Sequence, residues 1–570
     1  MSFYLSPLVD IKEVDISTTI PAVASSVGVI ILRQTYKGPE MVQSFITNRD
    51  ELIARFGEPT SDADCYQDML SAEAFLKYGS ALYATRVMPT DALFASRSLS
   101  ADGTWTTSNS ASNLTLANLN EEPTQFADIT PTGDLDVMAI SRGAWGNNIR
   151  IATLDYTTQS SYLEGGTISS NASAAFTTVD SRLEDTKNFL IVVEAKSQNS
   201  GVWEVVETFN VSTDPLATDD QGGSKFVENV VNQQSQYIVV SLKSSKESAD
   251  WTLTSNWGVL ASGTDGTGNA PDSAIQDALD LYRNPEVTDV NLFIDSNKSE
   301  TIKKYMITIC EERKDCMAIL DCPQSIVVNN RGNESTNLRD WRKGVGSFTV
   351  NNLNVNTSYA AVYGNWLEVY NRYLNKYNWV PASGYVAGIY AKTDDVTDPW
   401  FAPAGLNRAI ITGIRRLAWN PTKGSRDLLY SNGINPVVSF AGQGKVIWGQ
   451  KNLLDKSSAF NRVNVRRLFM VLEKAVATAS KYFLFEPNDA ATRRQLKNMI
   501  EPFLRDVQSR RGIYEYKVIC DTTNNTPERI DRNELWCSIL IKPTRTAEFI
   551  VLQFVATKTD ANFDEIAGQI

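Results

Sequence analysis

An α/β core interrupted by a β-rich insertion, within a multidomain chain, is the fold class this sequence predicts. Three observations lead to it. Residues 26–95 and 264–440 alternate buried-strand and amphipathic-helix patterns. The stretch between them turns to short alternating strands among Ser, Thr, Asn and Gly. The C-terminal part then carries long helical periodicity followed by strands. At ~100–200 residues per domain, a chain of 570 residues allows about three to five domains. Its 42% hydrophobic and 21% charged residues are ordinary globular composition, enough for several cores.

The elements follow in order. Residues 1–20 alternate in two short pieces, Val9/Ile11 and Val14/Ile16, and end at Pro21, too short for a core and readable as an arm. "SSVGVIILR" reads as a buried strand, and Asn48 caps a helix to Phe56 with Glu51 in a capping box and Gly57 at its end. The helix "DADCYQDMLSAEAFLKYG" and the strand "ALYATRVM" come next. From Ala95 to Gly263, "NNIRIATLDY", "KNFLIVVEAK", "WEVVETFNV" and "QYIVVSLK" predict a β-sandwich or barrel inserted into the chain, a surface decoration or a glycan- or receptor-binding module. Beyond it, "APDSAIQDALDLYRNP" and "SETIKKYMITICEERK" predict helices, and "VNLFID", "CMAILDCP" and "VAGIYAKTD" predict strands of a doubly wound sheet completed from both sides of the insertion. In "DPWFAPAGLNR", Pro399 and Pro403 fix φ while Trp400 and Phe401 bury large surfaces, which makes a packing joint.

Near the C-terminus, Val465, Leu468, Phe469, Leu472, Val476, Ala479, Tyr482 and Phe483 mark one face of a long helix. Pro487 stops it, Asp489 caps the next helix, and Gly512 closes that one. "IYEYKVICD", "ELWCSILIKP" and "EFIVLQFVAT" predict three strands.

Composition narrows the chemistry. There is no histidine, where ordinary usage would give about a dozen, so Ser-His-Asp and Cys-His nucleophile systems and His-ligated metals are excluded. The six cysteines form no C-x-x-C pair, and Cys310, Cys316 and Cys322 read as buried free thiols rather than as metal ligands. "GQGKVIWG" lacks the first Gly and the Ser/Thr of a P-loop, and "GTDGTGNAP" has its glycines out of order for a dinucleotide fold. Both predict turns. No catalytic, cofactor or metal residue is assigned. The N-terminus has no secretory pattern and no apolar run is long enough for a bilayer, which predicts a protein made in a cytoplasm. Residues 461–512 hold eleven Lys and Arg against five Asp and Glu, so the rest of a chain of net −12 carries −18. That basic stretch predicts a solvated face or an acidic protein partner ahead of nucleic acid, since exposed interleaved aromatics are missing.

Taken in order, "SPLVDIKEVDIS", "SSVGVIILRQTYKGP", "ITNRDELIARFGEP", "GSALYATRV", "ISRGAWGNNIRI", "SGTDG", "WFAPAGLNR", "INPVVSFAGQGKVIWGQKNLL" and "FNRVNVRRLFMVLEKAV" resemble the tail sheath proteins of contractile-tailed (myovirus-type) bacteriophages over nearly the whole chain. Leu8 departs from the Gly that many relatives have there. The resemblance implies a multidomain tail-sheath fold, with an α/β inner domain built from N- and C-terminal parts and β-rich insertions directed outward. The expected division is an arm at 1–25, α/β parts at 26–95 and 264–440, the insertion at 96–263, a tube-facing domain at 441–556 and a second arm at 557–570. It also implies a structural, non-enzymatic subunit without cofactor. Such a subunit forms stacked hexameric rings around a tail tube and contracts to drive that tube through a host envelope for genome ejection. Implied partners are other copies, the tube protein, and baseplate and tail terminator proteins, with no direct nucleic acid and no membrane insertion. The implied place is the virion tail, assembled in the host bacterial cytoplasm. Under this resemblance Val9, Ile11, Val14 and Ile16 add a strand to a neighbour. Arg462, Arg466, Arg467, Lys474, Lys481, Arg493, Arg494 and Lys497 are the candidate tube-facing cations. A phage-tail-like bacteriocin or injection-system sheath is the alternative, and a glycan-binding or glycan-hydrolysing protein a remoter one.

Overall fold

Strand β1 (Gly28–Arg33) is buried along its whole length, as a central parallel strand is. This and everything below comes from a computed structural model that describes residues 26–107, 131, 133–155, 185–198, 200–253 and 257–551. The arm residues Val9, Ile11, Val14 and Ile16 lie outside the described residues. The chain divides into two units, Pro21–Ala479 and, at the C-terminal end, Ser480 onward.

In the first unit, β1 leads to β2 (Ser44–Ile46), α1 (Arg49–Phe56), α2 (Ala63–Leu76) and β3 (Leu82–Val87). Asn48 caps α1 by accepting from the Glu51 N–H. The Glu51 carboxylate reaches one residue further back than a capping box does, to the N–H and hydroxyl of Thr47. The insertion follows as β4 (Ser96–Leu99), β5 (Trp105–Thr106), β6 (Leu135–Ala139), β7 (Ile149–Leu154), β8 (Asn188–Lys196), β9 (Trp203–Ser212), α3 (Val227–Gln234), β10 (Ile238–Leu242) and β11 (Trp257–Val259). Its strands form two four-stranded sheets, β10-β6-β4-β5 and β11-β7-β8-β9. Val137, Ile151, Ile191, Val211 and Val240 from both sheets share one core, so the insertion is a sandwich. The chain enters and leaves it side by side, with Leu93 bridged to Thr264 and Ser96 to Ala261.

The chain then continues through α4 (Asp272–Asp280), β12 (Leu292–Ile294), α5 (Glu300–Arg313), β13 (Met317–Asp321), α6 (Gln324–Val327), α7 (Glu334–Lys343), β14 (Ala360–Tyr363), β15 (Trp366–Asn371), β16 (Lys376–Pro381) and α8 (Ser383–Val396). After these come β17 (Ile410–Ile411), β18 (Arg416–Leu417), α9 (Lys423–Ser431), β19 (Ile434–Asn435), β20 (Val437–Phe440), β21 (Gly444–Ile447) and α10 (Val463–Ser480). One seven-stranded sheet, ordered β19-β14-β13-β12-β1-β3-β2, joins strands from both sides of the insertion. It is parallel except for the edge strand β2. Alternate residues divide its faces. Ile30, Leu32, Ile294 and Ile319 pack with α2 and α8, while Val29, Ile31, Phe293 and Leu320 pack with α4, α5 and α7.

The sequence expectation fails at "VAGIYAKTD", which is helix α8 and not a strand. Gly384 and Gly388, one helical turn apart, lie against α2 so closely that a Cβ on Gly384 would stand 2.3 Å from the Ser71 carbonyl oxygen. The small-residue stripe of a close helix pair reads in sequence like a continuous buried strand. The two suspected phosphate loops are turns. "GQGK" is the β20–β21 hairpin with Gly442 and Gly444 at positive φ, and Gly266 and Gly268 turn the chain after the insertion. Trp400 is buried, and Arg408 stacks over Phe401 while donating to the Ala402 carbonyl, so residues 398–408 pack as a joint.

In the C-terminal unit, Asp489 caps α11 (Ala490–Ser509) by accepting from the Ala491 and Thr492 N–H groups. Leu496, Ile500, Leu504 and Val507 form its buried face. The left-handed residue past its end is Arg511 (φ 66°), with Gly512 donating back to the Val507 carbonyl, so the stop sits one residue before the expected glycine. Strands β22 (Ile513–Ile519) and β23 (Ser538–Pro543) pair antiparallel, with α12 (Pro527–Asp531) between them. Of the expected third strand, residues 548–551 are described and are not in a strand, and the rest lies outside the described residues. Tyr482, expected on the apolar stripe, is exposed in a 3₁₀ turn after α10.

Candidate functional site

In a doubly wound sheet the ligand crevice opens at the carboxyl ends of the strands where the order reverses, here between β1 and β12. A crevice of about 310 Å³ lies there, with Arg33, Asp64, Asp272, Lys298, Glu300 and Lys303 in its lining. Arg33, the last residue of β1, donates Nε and Nη2 to the two oxygens of Asp68 at 2.8 and 2.9 Å, and Nη1 lies 2.9 Å from Asp64. Lys298 donates to Asp68 at 2.7 Å. Lys303 lies 3.5 Å from Asp295 and donates to the Lys298 carbonyl. Asp295 and Asp321, just past or at the ends of adjacent strands, are linked by the Asp321 N–H donating to Asp295 at 2.8 Å. Each of the three cations is thus held by carboxylates of the chain itself.

Burial and neighbours pull these groups in different directions. Burial alone would raise Asp68, but Arg33 and Lys298 outweigh it and hold that carboxyl below the ordinary carboxylate range. Burial, then the Arg33 charge, lowers Lys298 to about 8 despite Asp68. Burial raises Asp295. Burial, then the Asp295 charge, raises Asp321 to about 7. Asp321 accepts from the Ser383 N–H through Oδ1, whereas its Oδ2 has no partner among the described residues.

The folded chain therefore holds a proton on Asp321 that the unfolded chain has released between pH 3.8 and about 7, so stability falls as pH rises through that window. The contribution is at most about 1.4 kcal/mol per pH unit. Asp68, lowered rather than raised, acts at more acid pH, whereas burial also raises Asp64, Glu228, Asp395 and Glu473, so the Asp321→Asn comparison is what isolates the share of Asp321. Denaturant midpoints measured from pH ~5 to ~7.5 are expected to show this slope in the wild-type chain and a flatter one in Asp321→Asn. An unchanged slope would place the titration elsewhere.

The candidate cations fall into distinct environments. Arg467 is buried, ion-paired to Asp394, and stacked over Tyr390 at 4.9 Å. Arg493 is buried as well, with Nε donating to the Asp489 carbonyl. Neither presents its charge outward, which corrects their place among the tube-facing candidates. Helical arithmetic held the signal: Arg467 stands four residues after Val463 and three before Met470, and Arg493 three before Leu496, all on buried faces. Arg466 is half-buried between Tyr359 and Phe460 at 4.4 and 4.3 Å. Arg462 donates to Asn461, Lys474 pairs with Asp289, and Lys497 lies 3.6 Å from Glu501. Arg494 and Lys481 are exposed, Arg494 donating Nε to the Ala490 carbonyl.

A second cluster ties the insertion to the sheet. Glu40 accepts from Arg142 at 2.6 Å and lies 3.4 Å from Arg86, which is fully buried. The Asn147 side chain both donates to and accepts from the Gly263 backbone, and Gly146 sits where a Cβ would lie 2.7 Å from that of Ala95. The "RGAWGNN" segment is therefore a clamp across the two connections of the insertion.

Among the described residues no group of three His, Cys, Asp or Glu side chains is arranged to hold a metal, and no helix is long and apolar enough to cross a membrane. Cys310, Cys316 and Cys322 are free and lie in the same apolar cluster.

The family described as phage tail sheath protein central domain matches residues 274–453, and that of the phage tail sheath C-terminal domain matches residues 455–557. The chain belongs to the phage tail sheath family. The tail sheath protein of Vibrio phage KVP40 is 40% identical over 421 residues, 71% of this chain and 60% of that protein. The tail sheath protein of Enterobacteria phage T4 is 29% identical over 99% of both chains. This sheath-family chain thus spans about three fifths of the first relative and nearly all of the second. Among solved structures, a sheath tail protein from Listeria innocua matches with TM-score 0.54 at 12% identity, covering 93% of this chain and 97% of its own. The contracted helical sheath of the anti-feeding prophage matches with TM-score 0.51 at 14% identity, covering 98% and 100%. These place the multidomain α/β sheath fold on this chain.

Proposed function

We propose that this chain is the structural subunit of a contractile phage tail sheath. It polymerises as stacked hexameric rings around a tail tube and shortens to drive the tube through a host envelope, ending in the virion tail after assembly in the bacterial cytoplasm. The observation that supports this reading best is the end-to-end alignment with the phage T4 tail sheath protein. A crevice whose three cations are bound by the chain's own carboxylates suits a packed core. The likeness to the anti-feeding prophage sheath keeps an injection-system origin as the second reading. Tube, baseplate and tail terminator proteins are the partners this function requires, with the insertion (96–263) directed away from the tube.

Two features fit assembly by strand exchange. The β22–β23 ribbon is two-stranded among the described residues, and such edges accept strands from other copies. The arm pattern Val9, Ile11, Val14, Ile16 and the C-terminal arm supply such strands. The tube-facing set then reduces to Arg462, Arg466, Lys474, Lys481, Arg494 and Lys497, each exposed pair contributing ~0.2–1 kcal/mol, weak enough to release during contraction. Electron microscopy of the purified full chain is expected to show tubes. Deleting residues 1–20 is expected to leave folded monomers that form none. Tubes from the truncated chain would remove the arm from the mechanism, and a full chain monomeric at every concentration would overturn the reading itself.

A further inference from the structure

The antiparallel register of β22 and β23 pairs Ile519 with Ser538, so the next residues outward, Cys520 and Cys537, stand opposite each other. Directly opposed residues have Cα atoms about 4.5–5.5 Å apart, within the span of about 4.4–6.8 Å that a disulfide bridges. Both cysteines are free, and each thiol is near enough to shift the ionisation of the other. The ribbon end is held firmly: Asn524 donates to the Ile519 carbonyl at 2.6 Å, and Asn525 exchanges hydrogen bonds with the Trp536 backbone at 2.8 and 2.7 Å. Cys520 is buried and Cys537 half-buried, so Cys537 is the more accessible residue of the two.

We infer that Cys520 and Cys537 are an oxidisable cross-strand dithiol, a modification site that closes to a disulfide on exchange with a small-molecule disulfide. The inference is independent of the sheath reading. In the first step the Cys537 thiolate attacks one sulfur of oxidised glutathione, forming a mixed disulfide and expelling one glutathione thiolate. The Cys520 thiolate then attacks the Cys537 sulfur and expels the second. Two protein thiols are oxidised, one glutathione disulfide is reduced to two glutathiones, and the two protons pass to the leaving thiolates. Closure covalently joins the two strands across α12. Burial pushes both thiols up, Cys537 to about 12, while Arg493 and Lys497 on α11 favour the Cys520 thiolate. The reaction is accordingly slow at neutral pH and faster as pH rises. Burial and the neighbouring Cys316 also raise Cys310, but both cysteines are fully buried, Cys310 in α5 and Cys316 just before β13, where no reagent reaches.

The test treats the full-length chain, purified in reductant, with excess oxidised glutathione at neutral and alkaline pH, followed by alkylation and peptide mapping. The expected product is a Cys520–Cys537 linked peptide pair lighter by two hydrogens, formed faster at the higher pH. Cys65, Cys310, Cys316 and Cys322 are expected to alkylate only after denaturation. Cys520→Ser is expected to retain a stable mixed disulfide on Cys537 that the wild-type chain does not. The inference is overturned if wild-type chain accumulates that mixed disulfide without closing, or if both thiols stay fully alkylatable after oxidant.

Discussion

Asp68→Asn is expected to destabilise the Pro21–Ala479 unit by about 3–5 kcal/mol, because it removes the charge that two buried cations share. Asp68 has no exposed surface and accepts from Arg33 at two oxygens and from Lys298 at one of them. With an amide in its place the Arg33 guanidinium keeps only Asp64 as a close carboxylate, and Lys298 loses its hydrogen-bonded carboxylate. Asp64→Asn is the matching control, since Asp64 is partly exposed and solvent covers part of the loss. Denaturant unfolding followed by tryptophan fluorescence measures both. A loss below ~1 kcal/mol for Asp68→Asn would mean that the cations find water or other partners on losing it.

Gly384→Ala is expected to cost about 1–3 kcal/mol, and Gly384→Val more, through overpacking of α8 on α2. The added Cβ would stand 2.3 Å from the Ser71 carbonyl oxygen and 2.7 Å from its Cα, both backbone atoms that move only if α2 moves. Because α2 also packs on β1, the shift carries into the sheet. Gly424, near the start of α9, has nothing within 4 Å of its Cβ position, so Gly424→Ala is expected to be neutral or slightly stabilising. Equal thermal midpoints for the Gly384 and Gly424 variants would show that the helix pair relaxes without strain.

Legibility in the sequence followed the length scale of the signal. The sandwich strands were readable as short apolar, β-branched runs between Ser-, Gly- and Asp-rich loops, with Ile149, Ile151, Phe189, Ile191 and Val193 in the shared core. Helix α8 was misread because ten of its fourteen residues are buried, from Ser383 to Ala391 and Thr393, which erases the 3.6-residue period. The crevice cluster left no local trace. Arg33, Asp68, Asp295, Lys298 and Asp321 come from segments far apart in the chain, and only the strand order brings them together. The basic stretch was visible as a sum of charges, but burial of Arg467 and Arg493 depended on which helical face each occupies, a finer reading than the sum.

The side-by-side entrance and exit of the insertion bears on chain entropy. Closing a loop costs roughly (3/2)RT ln n, about 0.6 kcal/mol for each doubling of its length. With Leu93 bridged to Thr264 and Ser96 to Ala261, the excursion between them ends where it began. To β1 and β12, which pair across it, a folded insertion presents the closure cost of a short hairpin rather than that of the whole detour. Extra residues added to the insertion's far loops therefore leave the cost of closing the sheet unchanged, so that part of the chain is free to vary in length.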